Sequence, residues 1–229
     1  MSDYLADVQR LEAEVAQLER AFRGLTKTDW RRPTLLQPPS DMLPRWTIFE
    51  LAGHVDIAIG GVTRMLIASQ QDGQVGRDRV SFFIFPRAQV APVFYDYAYT
   101  MVEGKSPEQM ADVLAETFTQ TIEEARATSP DVVGQFEFDD GDGMLMQLGE
   151  FVPSRMVEAV VHGLDLTDAL GQEPIATPEG VSVTAAIFDE LLARITVPGR
   201  PADLTDDMAW VRAASGRAPH PDPRLPLLG

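Results

Sequence analysis

Cysteine is absent from all 229 residues. That excludes disulfides, thiolate metal ligands and a protein-borne thiol nucleophile, so any thiol chemistry here needs a cosubstrate to bring the sulfur. Positive charge is scarce as well. Against 35 aspartates and glutamates stand 19 lysines and arginines, for a net charge of −16 and a pI near 4.5. A field of that sign repels nucleic acid and anionic membranes, and no basic stripe offsets it, Arg31-Arg32 being the one adjacent basic pair. Uninterrupted apolar runs fall short of the ~18 residues that span a bilayer. The N-terminus, Met1-Ser-Asp-Tyr-Leu, has neither the positive start nor the apolar run of a secretory signal. These absences predict a soluble, cytoplasmic protein.

Hydrophobic residues make up 45% of the chain, enough for a sizeable core without covalent staples. Their spacing is mainly helical. Leu5, Val8, Leu11, Val15, Leu18 and Phe22 predict a helix from Tyr4 to about Leu25, closed by Gly24. A linker with Pro33, Pro38, Pro39 and Pro44 is too proline-rich to be helical. A second long helix is expected from Thr47 to Ser69. The aromatic run Ser81–Pro86 reads as a strand or as packed loop, and a short helix follows from Pro92 to Glu103. Ser106-Pro107-Glu108-Gln109 is a helix start with Ser as N-cap and Gln at N3, opening a helix to about Ala127. The acidic turn Asp139–Gly143 suggests a small hairpin. A last long helix is expected from Pro153 to Leu170, stopped by Gly171. Beyond it come helices at Thr177–Ile195 and Thr205–Ser215 and an extended or disordered proline-rich tail. This is an all-α reading: a bundle of four long helices over residues 1–172 and a small, mostly helical C-terminal part over 173–229.

Histidine is rare, at three residues, and two of them carry the functional reading. Glu158 and His162 lie four apart and project from one helical face, a spacing that can clamp a divalent ion, with His54 as a third ligand from another helix. At about 100° per residue, Arg155, Glu158, His162 and Asp165 form a narrow polar arc between apolar shoulders. A solvated face would be broad, so this arc should point into the core, where an unpaired Glu158 would cost several kcal/mol. His54 should also face inward. Spacing alone leaves two readings open. Either the three residues hold a metal, or Glu158, His162 and Arg155 form a structural network and a backbone carbonyl satisfies His54. His220, among prolines, is expected to be solvent-exposed.

Three blocks carry a family resemblance. They are Asp29-Trp30-Arg-Arg-Pro33-Thr34 with Trp46–Val55, then Ser106-Pro107-Glu108, and Arg155-x-x-Glu158-x-x-x-His162-Gly-Leu-Asp165-Leu166 with Leu170-Gly171. In these, the chain resembles the DinB-like metalloproteins, specifically the mycothiol-dependent maleylpyruvate isomerase family. The resemblance runs to about Gly171 and weakens beyond it. It implies a DinB-like up-down four-helix bundle holding one divalent ion, usually zinc, through His54, Glu158 and His162, with a position open to water or to the thiol of mycothiol. Two neutral imidazoles and a carboxylate would leave a zinc site near +1, which lowers the pKa of a bound thiol. The implied activity is attack of that thiol on a small electrophilic molecule, giving isomerisation or S-transfer. A hydrolase using metal-activated water and a non-catalytic metal- or ligand-binding bundle are the rivals. Asp165 is a candidate to orient a ligand imidazole from behind or, equally, to anchor the helix to a loop. Arg155 is a candidate to pair with Glu158 or bind a substrate carboxylate, and Arg212 and Arg217 to bind an anionic substrate at the mouth. The oligomeric state stays open, a homodimer included.

Overall fold

The structure is a computed structural model that describes residues 2–69, 75–85, 87–136 and 144–228. Its architecture is the expected all-α one, with four long helices around one apolar core. The helices are α1 (Ser2–Arg23), α2 (Ile48–Ile59), α3 (Gly61–Ile67), α4 (Arg87–Val102), α5 (Pro107–Ala127), α6 (Leu148–Leu170), α7 (Pro178–Ile195) and α8 (Asp207–Ala214). Both α1 and α2 pack against α5 and α6, so the order around the bundle is α1, α5, α2, α6. α1 and α2 therefore face each other across a diagonal, as do α5 and α6, and no tight turn can bridge it.

The proline-rich linker makes that crossing. A one-turn 3-10 helix, Asp29–Arg31, inserts Trp30 between Phe22 and Phe49. Pro33 then bridges to Thr47, with Thr34 N–H donating to Trp46 O at 2.8 Å and Ile48 N–H to Arg32 O at 2.9 Å. These bonds fix where α2 begins. Thr47 and Glu50 form a capping box there, satisfying N–H groups that the helix itself leaves free.

Several expected boundaries shift. The single helix expected over Thr47–Ser69 is broken at Gly60 into α2 and α3. Pro92 and Pro153, taken as first helical positions, lie inside α4 and α6. Each sits near its helix start, where the lost N–H breaks one bond of an end turn. Ser81–Phe83 is a 3-10 turn burying Phe82 and Phe83. The hairpin exists, with Val133–Phe136 antiparallel to Met144–Gln147, but the acidic turn at 139–143 lies outside the described residues. Gly171 ends α6 in the left-handed region (φ 67°), as expected of a C′ glycine. The tail is neither extended nor loose: Leu227 and Leu228 donate to Ala214 O, and Leu227 is buried. Nor is His220 simply solvated, since Asp222 N–H donates to its Nδ1 and Asp203 stands 3.2 Å from its Nε2.

After α6 the chain packs back on the bundle. α7 lies against α6 and α1, and α8 against α7, with Trp210 fully buried and donating to Ala185 O. The buried Glu14 on α1 accepts from both the N–H and the hydroxyl of Thr177, the N-cap of α7. Among the described residues, no helix is long and apolar enough to cross a membrane.

Two predictions concern this packing. Gly53 brings α2 close to α4: a Cβ there would stand 2.5 Å from Ala98 O and 2.9 Å from Val102 Cγ1. Gly53→Ala should destabilise the fold by about 1–3 kcal/mol in urea unfolding, the usual cost of overpacking; no change would mean that α4 can slide freely. Burial raises the Glu14 carboxyl's pKa above its ordinary value, despite the bonds from Thr177. The stability tied to its protonation is thus present below the unfolded pKa and lost as pH rises through the folded one. Relative to Glu14→Gln, the wild type should lose stability as pH rises above the carboxyl's ordinary value of 4.5 towards neutrality. A constant or growing wild-type advantage over that range would contradict this.

Candidate metal centre

The polar arc of α6 is buried as its wheel position predicts. Arg155 is 1% exposed, His162 7% and Asp165 3%, and Glu158 is partly buried one turn before His162. Across the bundle, α2 delivers His54, its ring centroid 4.6 Å from that of His162 and the two planes nearly perpendicular at 86°. One ligand atom from each of His54, Glu158 and His162 lies within 4.8 Å of the other two. The sequence expectation of a shared interior point for these residues is met.

Hydrogen bonding fixes how His162 presents itself. Its Nδ1 stands 2.8 Å from Asp165 Oδ2, and an ionised carboxylate can only accept, so Nδ1 carries the proton. Nε2, 3.2 Å from Glu158 Oε2, is then the nitrogen that carries the lone pair when the ring is neutral and a second proton when it is charged. Asp165 thus orients the ring from behind. Its own carboxylate receives Arg217 bidentately, Nε at 2.9 Å and Nη2 at 2.7 Å.

Electrostatics separate the groups. Burial, then the neighbouring His162, push the His54 pKa down to about 3, which keeps that imidazole neutral and fit to donate a lone pair. Burial alone would raise Glu158, but its bond with His162 and the charge of Arg155 outweigh it and hold the carboxyl down at about 2. His162 moves up: Asp165 and Glu158 outweigh the opposing effect of burial. Without an ion, a proton on His162 is what balances Glu158.

A structural network would leave His54 satisfied, and it is not. His54 Nδ1 is buried with no hydrogen-bond partner among the described residues. Its ring is packed by Trp46 (centroids 5.1 Å apart), by Phe94 edge-on at 5.9 Å, and by His162. Trp46 in turn stacks on Tyr95, whose hydroxyl donates to Pro44 O. An unpartnered imidazole nitrogen beside a carboxylate and a second, oriented imidazole is a donor set that could hold a divalent ion. The residues present fit the ion.

Arg155 serves the scaffold. Its guanidinium donates to Ala58 O on α2 and to Ser154 Oγ, and it lies 4.5 Å and 4.3 Å from the ring centroids of Phe82 and Phe151. This ties α6 to α2 one turn beyond His54. Arg212 and Arg217, expected at the mouth of the site, are bound to α6 instead, forking onto Asp168 and Asp165. The aromatic wall of Trp46, Phe94 and Tyr95 was missed in the sequence, although the aromatic residues of the α4 segment were its signal. A surface groove of about 340 Å³, lined by Phe22, Trp30 and Pro107 among others, shares no residue with the cluster.

Fold and site together define an all-α bundle protein with one candidate divalent-metal centre in its core. The profile of the mycothiol maleylpyruvate isomerase N-terminal domain matches residues 11–167, and the chain belongs to that family. Among solved structures, it is similar to a histidine-to-alanine mutant of the mycothiol-dependent maleylpyruvate isomerase. The identity is 16% and the TM-score 0.61, over 94% of this chain and 90% of that one. That likeness establishes a shared fold. Comparison with curated proteins gave no match.

Protein purified without a polyhistidine tag should carry close to one divalent ion per chain. His54→Ala and Glu158→Gln should each weaken metal binding by at least about tenfold while far-UV circular dichroism stays helical. Elemental analysis with chelator competition measures both, and a wild-type stoichiometry near zero would rule out the centre.

Proposed function

We propose that this protein is a divalent-metal-dependent enzyme, with zinc as its ion, that activates a low-molecular-weight thiol for reaction with a small electrophile. The observation that carries this reading is the convergence of His54, Glu158 and His162 on one point inside the bundle. Family membership supports mycothiol as the thiol, and the absence of cysteine requires the sulfur to come from outside the chain.

A divalent ion held by these residues would supply positive charge that lowers the pKa of a thiol. The chain's own groups do the rest. Asp165 keeps the Nδ1 proton on His162, so that Nε2 remains a lone-pair donor. Glu158 stays ionised, limiting the net charge of the site. Trp46 and Phe94 pack against His54 and keep its ring in place, which favours a preorganised site over one assembled at each turnover. The thiol gives its proton to solvent and the sulfur adds to an electrophilic carbon of an activated double bond, whose π electrons move onto the conjugated carbonyl oxygen as an enolate. Rotation about the resulting single bond and expulsion of the thiolate restore the double bond in the other geometry, which is isomerisation. Protonation of the enolate carbon from solvent, or departure of a halide where the carbon carries one, gives an S-conjugate instead.

The zinc-loaded protein should consume mycothiol with an electrophile such as monochlorobimane, and should convert a cis-configured unsaturated oxo-acid in the presence of mycothiol. Glutathione should be a poor replacement in both. His54→Ala should lower either rate by on the order of 100-fold or more. If neither mycothiol nor glutathione is consumed above background while ester or amide substrates are cleaved, water activation replaces thiol activation.

A further inference from the structure

The stretch after α8 reaches the metal centre through one side chain. Arg217 uses all three of its guanidinium nitrogens: Nε and Nη2 fork onto the two oxygens of Asp165, and Nη1 donates to Ser215 O at 2.6 Å. Its backbone is also held, with Arg217 N–H at 2.7 Å and Ala218 N–H at 3.0 Å from Arg212 O. The returning tail is tied to the same turn by Leu227 N–H on Ala214 O. Asp165 is thus shared. Its Oδ2 accepts from both Arg217 and His162 Nδ1, while Oδ1 accepts, among the described residues, from Arg217 alone.

A carboxylate with one partner can rotate about its side-chain bonds. One held by a bidentate guanidinium has its plane and both oxygens set. The His162 ring takes its orientation from Asp165, so its Nε2 lone pair is aimed only as well as Asp165 is fixed. Residue 217 also lies beyond the family-matched residues 11–167, so the device belongs to this chain's C-terminal part.

We infer that Arg217 is a positioning residue of the metal centre: it locks Asp165, which aims His162, so the C-terminal segment sets the affinity and geometry of the ion. This rests on the proposed reading of His54, Glu158 and His162 as ligands. Arg212 supplies an internal control. It forks onto Asp168, one turn further along α6, at 2.9 and 2.8 Å, whereas the carboxylate bonded to His162 Nδ1 is that of Asp165.

The test measures the zinc dissociation constant by chelator competition, and the visible spectrum of the cobalt(II)-substituted protein, in wild type, Arg217→Ala, Arg217→Lys and Arg212→Ala. Arg217→Ala should bind zinc about 10–100-fold more weakly, with an altered cobalt spectrum, as loss of a partner behind a ligand does. Arg217→Lys keeps the charge without the fork and should fall between. It also serves if the alanine variant does not fold. Arg212→Ala should lower the melting temperature to a similar degree but leave zinc affinity within about twofold. Unchanged zinc binding and cobalt spectrum in the Arg217 variants would overturn the inference while the metal centre stands. So would an equal loss in Arg212→Ala, which would make both arginines plain structural clamps. A wild type that takes up neither metal would instead remove the reading on which the inference rests.

Discussion

Four ionisable side chains on one face of α6 have to be matched inside an apolar bundle. An unpaired charge at such a position costs several kcal/mol, so each must find a partner from another part of the chain or a neighbouring turn. The partners come from different places. Arg155 rests on Phe82 and Phe151 and donates to Ala58 O on α2. Glu158 faces His162 and, across the bundle, His54. Asp165 is matched by Arg217 from beyond α8. Satisfying one stripe draws in α2, the aromatic segment before α4 and the C-terminal tail.

That same matching makes the site stiff. Glu158 and His162 project from a helix whose neighbouring residues are buried, and His54 comes from a helix whose start is fixed by a capping box and a backbone bridge. Sites built on packed helices hold ligand atoms more closely than sites on loops. His54 Nδ1 is buried and unpartnered among the described residues, as is the indole Nε1 of Trp46 beside it. An ordinary buried ion pair has the same Glu-x-x-x-His spacing; here a second imidazole, His54, adds a donor within 4.8 Å of Glu158 and His162.

Much of this was legible because helical periodicity is local. The α6 stripe could be drawn on a wheel before any contact was known, and the N-caps Ser106 and Thr177 announced α5 and α7 correctly. Local signals also misled where one residue serves two purposes. Proline marks a helix start often enough that Pro92 and Pro153 were placed there, yet both helices begin earlier. At Gly60 the apolar period continues through the break, so periodicity alone shows one helix where the backbone makes two. The tail's prolines suggested extension, while Leu227 is buried and its N–H bonds to Ala214.

The sequence by itself determined that this is an all-α chain, that Glu158, His162 and Asp165 share a buried face, and that any sulfur chemistry must borrow its thiol. These follow from composition and from a 3.6-residue period, which need only neighbours along the chain. Tertiary structure decided the rest. It brought His54 to 4.6 Å from His162, left one imidazole nitrogen unpaired, and turned Arg217 onto Asp165 instead of towards a ligand. Those outcomes depend on how helices far apart in sequence pack and on which buried charge each arginine must neutralise, and neither is written in local spacing.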